Sequence, residues 1–263
     1  MKRTFNILSV AAIAGLTAVT SCAPDAVPEM AVVEKTESIA SGENSFDMDY
    51  RFEYLAAYGD NDEVARKIRQ GQIVDFFGSV MVEALGTDEF MNDPVEAAAA
   101  FDEFNRMGYV AAAAEFPFDG FMSARSWTEI VNERILAYTV EEASYTGGAH
   151  GMEFTKYSNY DLQTGHRLAL ADLFSPEGLA ALPGVIAGRI LEDNGETDWQ
   201  ALAAKTCYCD QGDVYASENF LLASDRITFF YNPYDISCYA QGPTKVEVEL
   251  EGLEGFRDEM VEK

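Results

Sequence analysis

The sequence predicts an α+β protein, and three patterns carry this prediction. Residues 46–54 alternate apolar and polar side chains, as a strand with one buried face does. Residues 64–80 space their apolar side chains mainly three and four apart, and the alanine-rich stretch 94–111 begins with a proline, so both favour helices. Strand-like segments return after residue 127. We therefore expect antiparallel or mixed sheets with packed helices.

The first folded region, residues 45–146, is expected to run strand, two helices, strand. Asp60 and Asn61 offer side chains that cap the N-terminus of the first helix. Residues 127–146 are rich in β-formers and stop at a glycine pair, 147–148, which favours a turn. We expect this region to be an N-terminal α+β domain.

The second region, residues 147–263, is expected to be a C-terminal α+β domain. A strand over 152–162 comes first, and Pro176 opens the main helix. Three short strands follow, at residues 219–223, 226–231 and 245–250. Helices and strands thus fall into separate blocks, as in an α+β fold.

The N-terminus has the pattern of a bacterial lipoprotein signal peptide. Lys2 and Arg3 precede an apolar run over residues 7–19, and Cys22 closes the segment. The apolar run is shorter than the roughly 20 residues that a membrane-spanning helix needs. We expect removal of residues 1–21 and a lipid on Cys22, which would anchor the mature chain in the cell envelope, outside the cytoplasm. An ordinary secretory signal with an incidental Cys22 is the alternative.

Residues 22–44 are expected to be a flexible, lipidated tether. They combine Pro24, Pro28 and several acids with no aromatic side chain, so they bury too little apolar surface to offset their ordering entropy. Ala23 stands where an aspartate retains many lipoproteins at an inner membrane, and this favours the outer membrane and the periplasm.

The chain is strongly acidic, with 18 Lys+Arg against 45 Asp+Glu. Loss of Lys2 and Arg3 with the signal peptide would leave 16 basic residues and a net charge of −29. A field of this sign repels nucleic acid and anionic headgroups and attracts basic proteins. We expect no nucleic-acid partner. The alternative is that the acidic surface only keeps the protein soluble.

Three cysteines remain for the mature fold, Cys207, Cys209 and Cys238. In an oxidising compartment we expect Cys238 to form a disulfide with Cys207 or Cys209, because a bridge between Cys207 and Cys209 would close a very tight ring. A zinc or copper site with three thiolates is the alternative.

Two other features are candidate sites. His150 lies beside glycines that let a ligand approach the backbone, and its imidazole titrates near neutrality; a turn held by a His150 hydrogen bond is the alternative. Tyr231, Pro233 and Tyr234 form an aromatic turn that suits a protein or glycan partner. Alternatively, Tyr231 completes a strand and Tyr234 packs inward. No metal, phosphate-loop or nucleophile-elbow motif occurs, so no cofactor is expected.

Several stretches resemble one family of envelope domains: residues 144–151, 157–165, 168–174, 227–236 and 239–242. The same tandem occurs in the extracellular part of the lysozyme-sensing anti-sigma factor RsiV and in the non-catalytic N-terminal region of the peptidoglycan deacetylase PdaC. The resemblance spans roughly residues 45–256. It implies a PdaC-type domain over 45–146 and an RsiV-like domain over 147–263.

The resemblance further implies binding of a lysozyme-like protein or of peptidoglycan. It does not imply deacetylase chemistry, which needs a His-x-x-x-His pair with an aspartate, whereas His150 and His166 are the two histidines of this chain. We therefore favour a non-enzymatic envelope lipoprotein that binds its partner at the surface or in the periplasm. A hydrolase of envelope material that uses His150 and a purely structural lipoprotein are the alternatives.

Overall fold

The computed structural model describes residues 27–78 and 93–261. These residues form two sheets and five α-helices, which is the α+β fold that the sequence predicts. The expected signal peptide, Cys22 and the start of the expected tether lie outside the described residues. Within the described ranges, no helix has both the length and the apolar character needed to cross a membrane.

The strands and helices are numbered here in chain order. The strands are β1 Pro28–Ser41, β2 Asn44–Tyr58, β3 Gly120–Ile130, β4 Ile135–Tyr145, β5 Met152–Asp161, β6 Phe220–Leu222, β7 Arg226–Tyr231 and β8 Thr244–Glu249. The helices are α1 Asp62–Phe77, α2 Pro94–Glu115, α3 Leu170–Leu173, α4 Pro176–Asp193 and α5 Trp199–Ala203. One sheet has the order β1-β2-β3-β4-β5, and the other has the order β6-β7-β8.

The first sheet is mixed. β1 and β2 form an antiparallel hairpin, whereas β2 and β3 run parallel, with Phe46 opposite Gly120 and Arg51 opposite Arg125. Parallel neighbours need a crossover connection, and α1 and α2 lie in it. The predicted pair of helices between two strands is therefore a crossover unit.

The prediction of a flexible tether is wrong for residues 28–41, which form β1. Val33 and Ile39 are the buried apolar residues of this strand, and most of the others are charged, small or partly exposed. β1 is ordered because its backbone pairs with β2 along the whole strand, a contact that its own apolar pattern does not reveal. Strand β1 is thus an edge strand of the folded protein.

The chain divides into two units. The first runs to Trp127 and also contains Glu142–Met152, and the second contains Thr128–Glu141 and the chain from Glu153. The expected boundary between residues 146 and 147 differs from this division, because β3, β4 and β5 each contribute residues to both units. The single strand expected over 127–146 is instead the end of β3, a turn and β4.

The first unit has an aromatic core on β2. Tyr50 and Phe52 contact Phe76 and Phe77 at the end of α1, and Phe101 of α2 contacts Tyr50 and Phe77. The proline that opens α2 is preceded by a true cap, because Asp93 accepts hydrogen bonds from two backbone N–H groups of the first turn. These contacts fix both crossover helices on the sheet.

The core of the second unit lies between α4 and the sheet of β6, β7 and β8. Leu182, Ile186 and Ile190 of α4 are buried with Phe229 of β7 and Val246 of β8. Helix α4 begins as predicted, with Pro176 in its first turn, and the Ser175 hydroxyl accepts a hydrogen bond from Gly178 N at 3.2 Å. This core supports the residues described next.

Candidate functional site

The second unit contains an aromatic turn, which we define as residues 231–239. It begins where β7 ends at Tyr231, whose side chain is buried in the core. The Tyr231 hydroxyl donates a hydrogen bond to the carbonyl oxygen of Tyr215, and burial raises the pKa of Tyr231. Tyr231 therefore supports the turn from beneath, and its predicted role as a direct binding residue is wrong.

Two hydrogen bonds between Asn232 and Asp235 hold the backbone of the turn in one conformation. Asn232 N donates to Asp235 Oδ2 at 2.7 Å, and Asp235 N donates back to the Asn232 carbonyl oxygen at 3.0 Å. Pro233 is buried between them, so it shapes the turn rather than presenting a contact surface. The result is a rigid turn of the kind that Asn, Pro and Asp favour.

Tyr234 is the exposed member of the turn. Its side chain is 58% exposed, which excludes the alternative that it packs inward. Its ring stacks on Tyr239, with 5.7 Å between ring centroids and 28° between ring planes. Its φ of 77° lies in the left-handed region that bulky residues rarely adopt. The structure thus holds a pair of stacked tyrosines at the surface through a strained backbone.

A disulfide anchors the far end of the turn. Cys207 and Cys238 are bonded, with 5.6 Å between their Cα atoms and a sequence separation of 31 residues. This confirms the expected disulfide and selects Cys207 as the partner of Cys238. A loop of this length contributes about 3 to 4 kcal/mol in the chain-entropy model. The chain leading to the disulfide is also paired, because Cys209 N donates to the Ile236 carbonyl oxygen at 2.8 Å.

Cys209 is the remaining thiol. Burial raises its pKa, and the nearby carboxylate of Asp213 raises it further. Its thiol is therefore protonated near neutral pH and is a weak nucleophile.

The alternative of a metal site with three thiolate ligands is wrong, because Cys207 and Cys238 form the disulfide. In the described part of the chain, no group of three His, Cys, Asp or Glu residues could hold a metal ion.

His150 lies in the first unit, in the loop between β4 and β5. Its side chain is exposed, and Nδ1 lies 2.8 Å from the carbonyl oxygen of Gly151. Gly147 and Gly148 have positive φ values, 83° and 135°, so both glycines are used by the turn itself. This geometry supports the alternative of a turn held by a local hydrogen bond.

Three asparagine amides, which sequence reasoning missed, link β5 to the second sheet and to the start of the aromatic turn. Asn232 accepts a hydrogen bond from Thr155 N at 2.8 Å and donates to the Thr155 carbonyl oxygen at 3.1 Å. Asn219 accepts from Tyr157 N at 2.7 Å, and Asn159 pairs in the same two-way manner with the backbone of β6. These side chains replace a strand partner along β5. Asn159 and Asn232 both lie in the stretches that resemble the envelope-domain family, which could have drawn attention to them. Their hydrogen-bond partners could not be predicted, because those residues are distant in the sequence.

The turn after β5 is also built by a single acidic side chain. Asp161 is buried, and its Oδ1 accepts hydrogen bonds from Gln163 N at 2.7 Å and Thr164 N at 3.1 Å. Its Oδ2 pairs with Arg134 Nε at 3.1 Å, and Gly165 closes the turn with a φ of 72°. This part of the resembling stretches therefore has a structural role.

Comparison with known proteins places this architecture among proteins whose function is not established. Residues 171–251 match the model of the DUF3298 family, described as a protein of unknown function. No curated protein shows a significant match to the chain. The matched residues include all of α4, all three strands of the second sheet and the aromatic turn.

Two crystal structures of DUF3298 family members resemble the whole architecture. One, from Bacteroides fragilis, is 25% identical in sequence with a TM-score of 0.75, and the alignment covers 86% of this chain and 92% of that one. The other, from Pseudomonas aeruginosa PAO1, is 14% identical with a TM-score of 0.56, over 89% of this chain and 99% of that one. At 14% identity, the similarity to the second structure is evidence for a shared fold alone. The fold described here is thus shared with experimentally determined DUF3298 structures.

Proposed function

We propose that this protein is a non-enzymatic lipoprotein of the cell envelope, anchored through Cys22, that binds a basic, lysozyme-like protein. The observation that carries the proposal is the stack of the exposed Tyr234 on the half-buried Tyr239, on the disulfide-anchored turn. Aromatic side chains on a rigid support give a large contact area at a low entropic cost, as binding hot spots do.

The strained backbone at Tyr234 supports a binding role. A non-glycine residue at positive φ costs of the order of 1 kcal/mol or more, and such strain persists where the surrounding structure imposes it. Asn232, Asp235 and the Cys207–Cys238 disulfide impose it here. A glycine would adopt this backbone conformation without strain. We therefore attribute the presence of a strained tyrosine at this position to a binding role of its ring.

Two observations favour a basic protein as the partner. The net charge of −29 expected for the mature chain speeds the encounter with a cationic protein. The stretches that resemble RsiV, which senses lysozyme, include the residues of the aromatic turn. Charge alone gives no specificity, so the tyrosine stack is required to select the partner.

Peptidoglycan is the second candidate partner, and the stacked rings favour it. The exposed face of a tyrosine pair is a flat, apolar platform with polar hydroxyls at its edge, on which a sugar ring can rest. Hydrolysis through His150 is not proposed, because the described contact of its ring is with the neighbouring backbone carbonyl.

Calorimetry of the mature chain at near-physiological ionic strength, about 0.15 M, tests the proposal, because long-range attraction is largely screened there. Lysozyme and soluble peptidoglycan fragments are titrated separately. Tyr234→Gly removes the ring and relieves the backbone, so the variant folds at least as well as the parent and binds about tenfold more weakly or worse. Tyr234→Phe keeps the ring and retains binding.

Phe116→Ala is the matched control, because it removes an exposed aromatic side chain, 76% exposed, from the first unit. It leaves binding unchanged. If the folded parent binds neither lysozyme nor peptidoglycan fragments at this ionic strength, the proposal is wrong and a purely structural role replaces it. Turnover of peptidoglycan that is lost in His150→Ala would instead support the hydrolase alternative.

A further inference from the structure

A groove of about 1070 Å³ lies in the second unit, away from the residues of the aromatic turn. Its lining comes from α4, from the start of β7, from the end of β8 and from the chain after β8. Small-molecule sites usually measure about 300 to 1,000 Å³. The groove is therefore large enough for several residues of a peptide.

The lining combines apolar side chains with acids. The apolar side chains are Val185, Val248, Leu250, Leu253 and Val261. Six carboxylates and two guanidinium groups make up its charged residues: Glu192, Asp225, Glu247, Glu249, Glu251, Asp258, Arg189 and Arg226. Acids thus outnumber bases around an apolar interior.

Both arginines are already neutralised by acids. Arg189 pairs with Glu192 and Asp193, each at 3.1 Å, and Arg226 pairs with Asp225 at 2.9 Å and Glu247 at 3.5 Å. In the described part of the chain, Glu249, Glu251 and Asp258 have no ion-pair partner. The groove therefore has negative charge that the protein itself does not neutralise, and a cationic occupant complements it.

Two glycines on α4 keep the groove open. Gly184 and Gly188 are one helical turn apart, and a Cβ atom added at either position would meet nothing within 4 Å. Glycine inside a helix costs about 1 kcal/mol relative to alanine. Helix α4 thus carries two unfavourable residues where larger side chains would have room.

The groove also contacts an edge strand. β8 is at the end of the order β6-β7-β8, so among the described residues β7 is its sheet neighbour and its outer edge has no strand partner. Glu247, Val248 and Glu249 are consecutive lining residues of this strand. Because successive side chains of a strand point to opposite faces, residues from both faces of β8 line the groove, and an extended occupant would lie beside this strand. An extended peptide can pair with such an edge.

We propose that this groove binds an extended, cationic segment of a partner protein, with lysine or arginine side chains on the unpaired carboxylates and apolar side chains against the partly exposed Val185, Leu253 and Val261. This inference goes beyond the function proposed above, because it assigns a second surface that does not depend on Tyr234 or Tyr239.

The probe is a fluorescein-labelled ten-residue peptide in which lysine alternates with valine, and binding to the mature chain is followed by anisotropy at about 0.15 M salt. The same peptide with glutamate in place of lysine does not bind. Spermine carries positive charge without apolar side chains. If spermine binds as tightly as the peptide, the groove is a site for small polycations and the proposal is overturned.

Two variants separate charge from shape. The triple variant Glu249→Gln, Glu251→Gln, Asp258→Asn removes the unpaired carboxylates and weakens peptide binding about tenfold. Gly188→Leu leaves every charge in place but fills the groove, and it also weakens binding about tenfold or more through steric clash. Because leucine favours helix over glycine, this variant is at least as resistant to unfolding as the parent.

The matched control is Glu43→Gln, Asp60→Asn, Glu115→Gln, which removes three exposed acids from the first unit. It leaves peptide binding unchanged, and so does Tyr234→Gly. Equal weakening by the control and by the groove triple variant would mean that only the overall charge matters, and the proposal would be overturned. Unchanged binding in Gly188→Leu would overturn it as well.

Discussion

Asparagine side chains at three positions make hydrogen bonds that the backbone of a neighbouring strand usually makes. Asn159, Asn219 and Asn232 each contact backbone groups across the gap between β5 and the second sheet. A buried backbone N–H or carbonyl that loses its partner costs about 1 to 3 kcal/mol. The amide is well suited because it carries a donor and an acceptor side by side, as a peptide group does.

Asn232→Ala is expected to lower the free energy of unfolding by about 2 to 3 kcal/mol, because it leaves Thr155 N without its partner and removes one of two donors to the Thr155 carbonyl. Urea denaturation measures the change. Asn44→Ala is the control, since the Asn44 side chain makes an exposed hydrogen bond of 3.3 Å and its loss changes stability by less than about 0.5 kcal/mol. Equal effects of the two substitutions would contradict the role given to Asn232.

At the scale of secondary structure, local periodicity predicted the three long helices and most of the strands that bury an apolar face of their own, but it missed the short helix α5 and the first part of β3. Strand β7 agrees with its predicted span, and α4 and α2 begin at the predicted Pro176 and Pro94. β1 was missed because its order comes from pairing with β2 and from ion pairs to α2, which no local pattern contains. The turn between β3 and β4 was missed because both flanking segments are rich in β-formers.

Removal of β1 is expected to destabilise the protein, although the composition of this strand predicts a flexible tether. A fragment that starts at Val27 keeps the hairpin and folds, whereas a fragment that starts at Ser45 exposes the edge of β2 and the residues that Val33 and Ile39 cover. The shorter fragment should show a lower thermal midpoint and more aggregation. Equal thermal midpoints for the two fragments would mean that β1 contributes nothing to stability.

An ion-pair network between β1 and α2 predicts a pH dependence. Lys35 contacts Glu37 at 3.0 Å and Asp102 at 3.1 Å, and Arg106 pairs with Glu37. Burial by itself would raise the pKa of Glu37, but hydrogen bonds from Arg106 and Lys35 outweigh it and lower the pKa below 4.5. The stabilisation is therefore present above about pH 4.5 and is lost as the pH falls through the lowered value.

Glu37→Gln should accordingly be less stable than the parent by about 1 kcal/mol at neutral pH, and the difference should vanish in acid. Urea denaturation at about pH 7 and about pH 3 provides the comparison. Glu63→Gln is the control, because the Glu63–Lys67 pair is on an exposed helix surface and contributes little. A difference that persists unchanged in acid would show that Glu37 acts through packing instead of charge.

At the scale of the whole molecule, the surfaces assigned to binding were only partly predictable. The sequence pointed to the aromatic turn, but it could not tell the buried Tyr231 from the exposed Tyr234, because both belong to one short aromatic run. The groove was not predictable, since α4, β8 and the chain after β8 meet only in the folded unit. A site whose residues lie in a single motif can be recognised from the local sequence. A surface assembled from distant segments can be recognised only in the folded structure.

The proposed lipid on Cys22 gives the last prediction. A strongly acidic chain is repelled by anionic headgroups, so its charge does not hold it at a membrane surface. The lipid would therefore supply the attachment, and Cys22→Ser should move the protein from the membrane fraction to the soluble fraction and abolish labelling by a fatty-acid probe. A wash with about 1 M salt should not release the parent, because an acyl anchor is held by apolar burial and not by charge. Membrane attachment that survives in Cys22→Ser, with no labelling of the parent, would contradict the anchor.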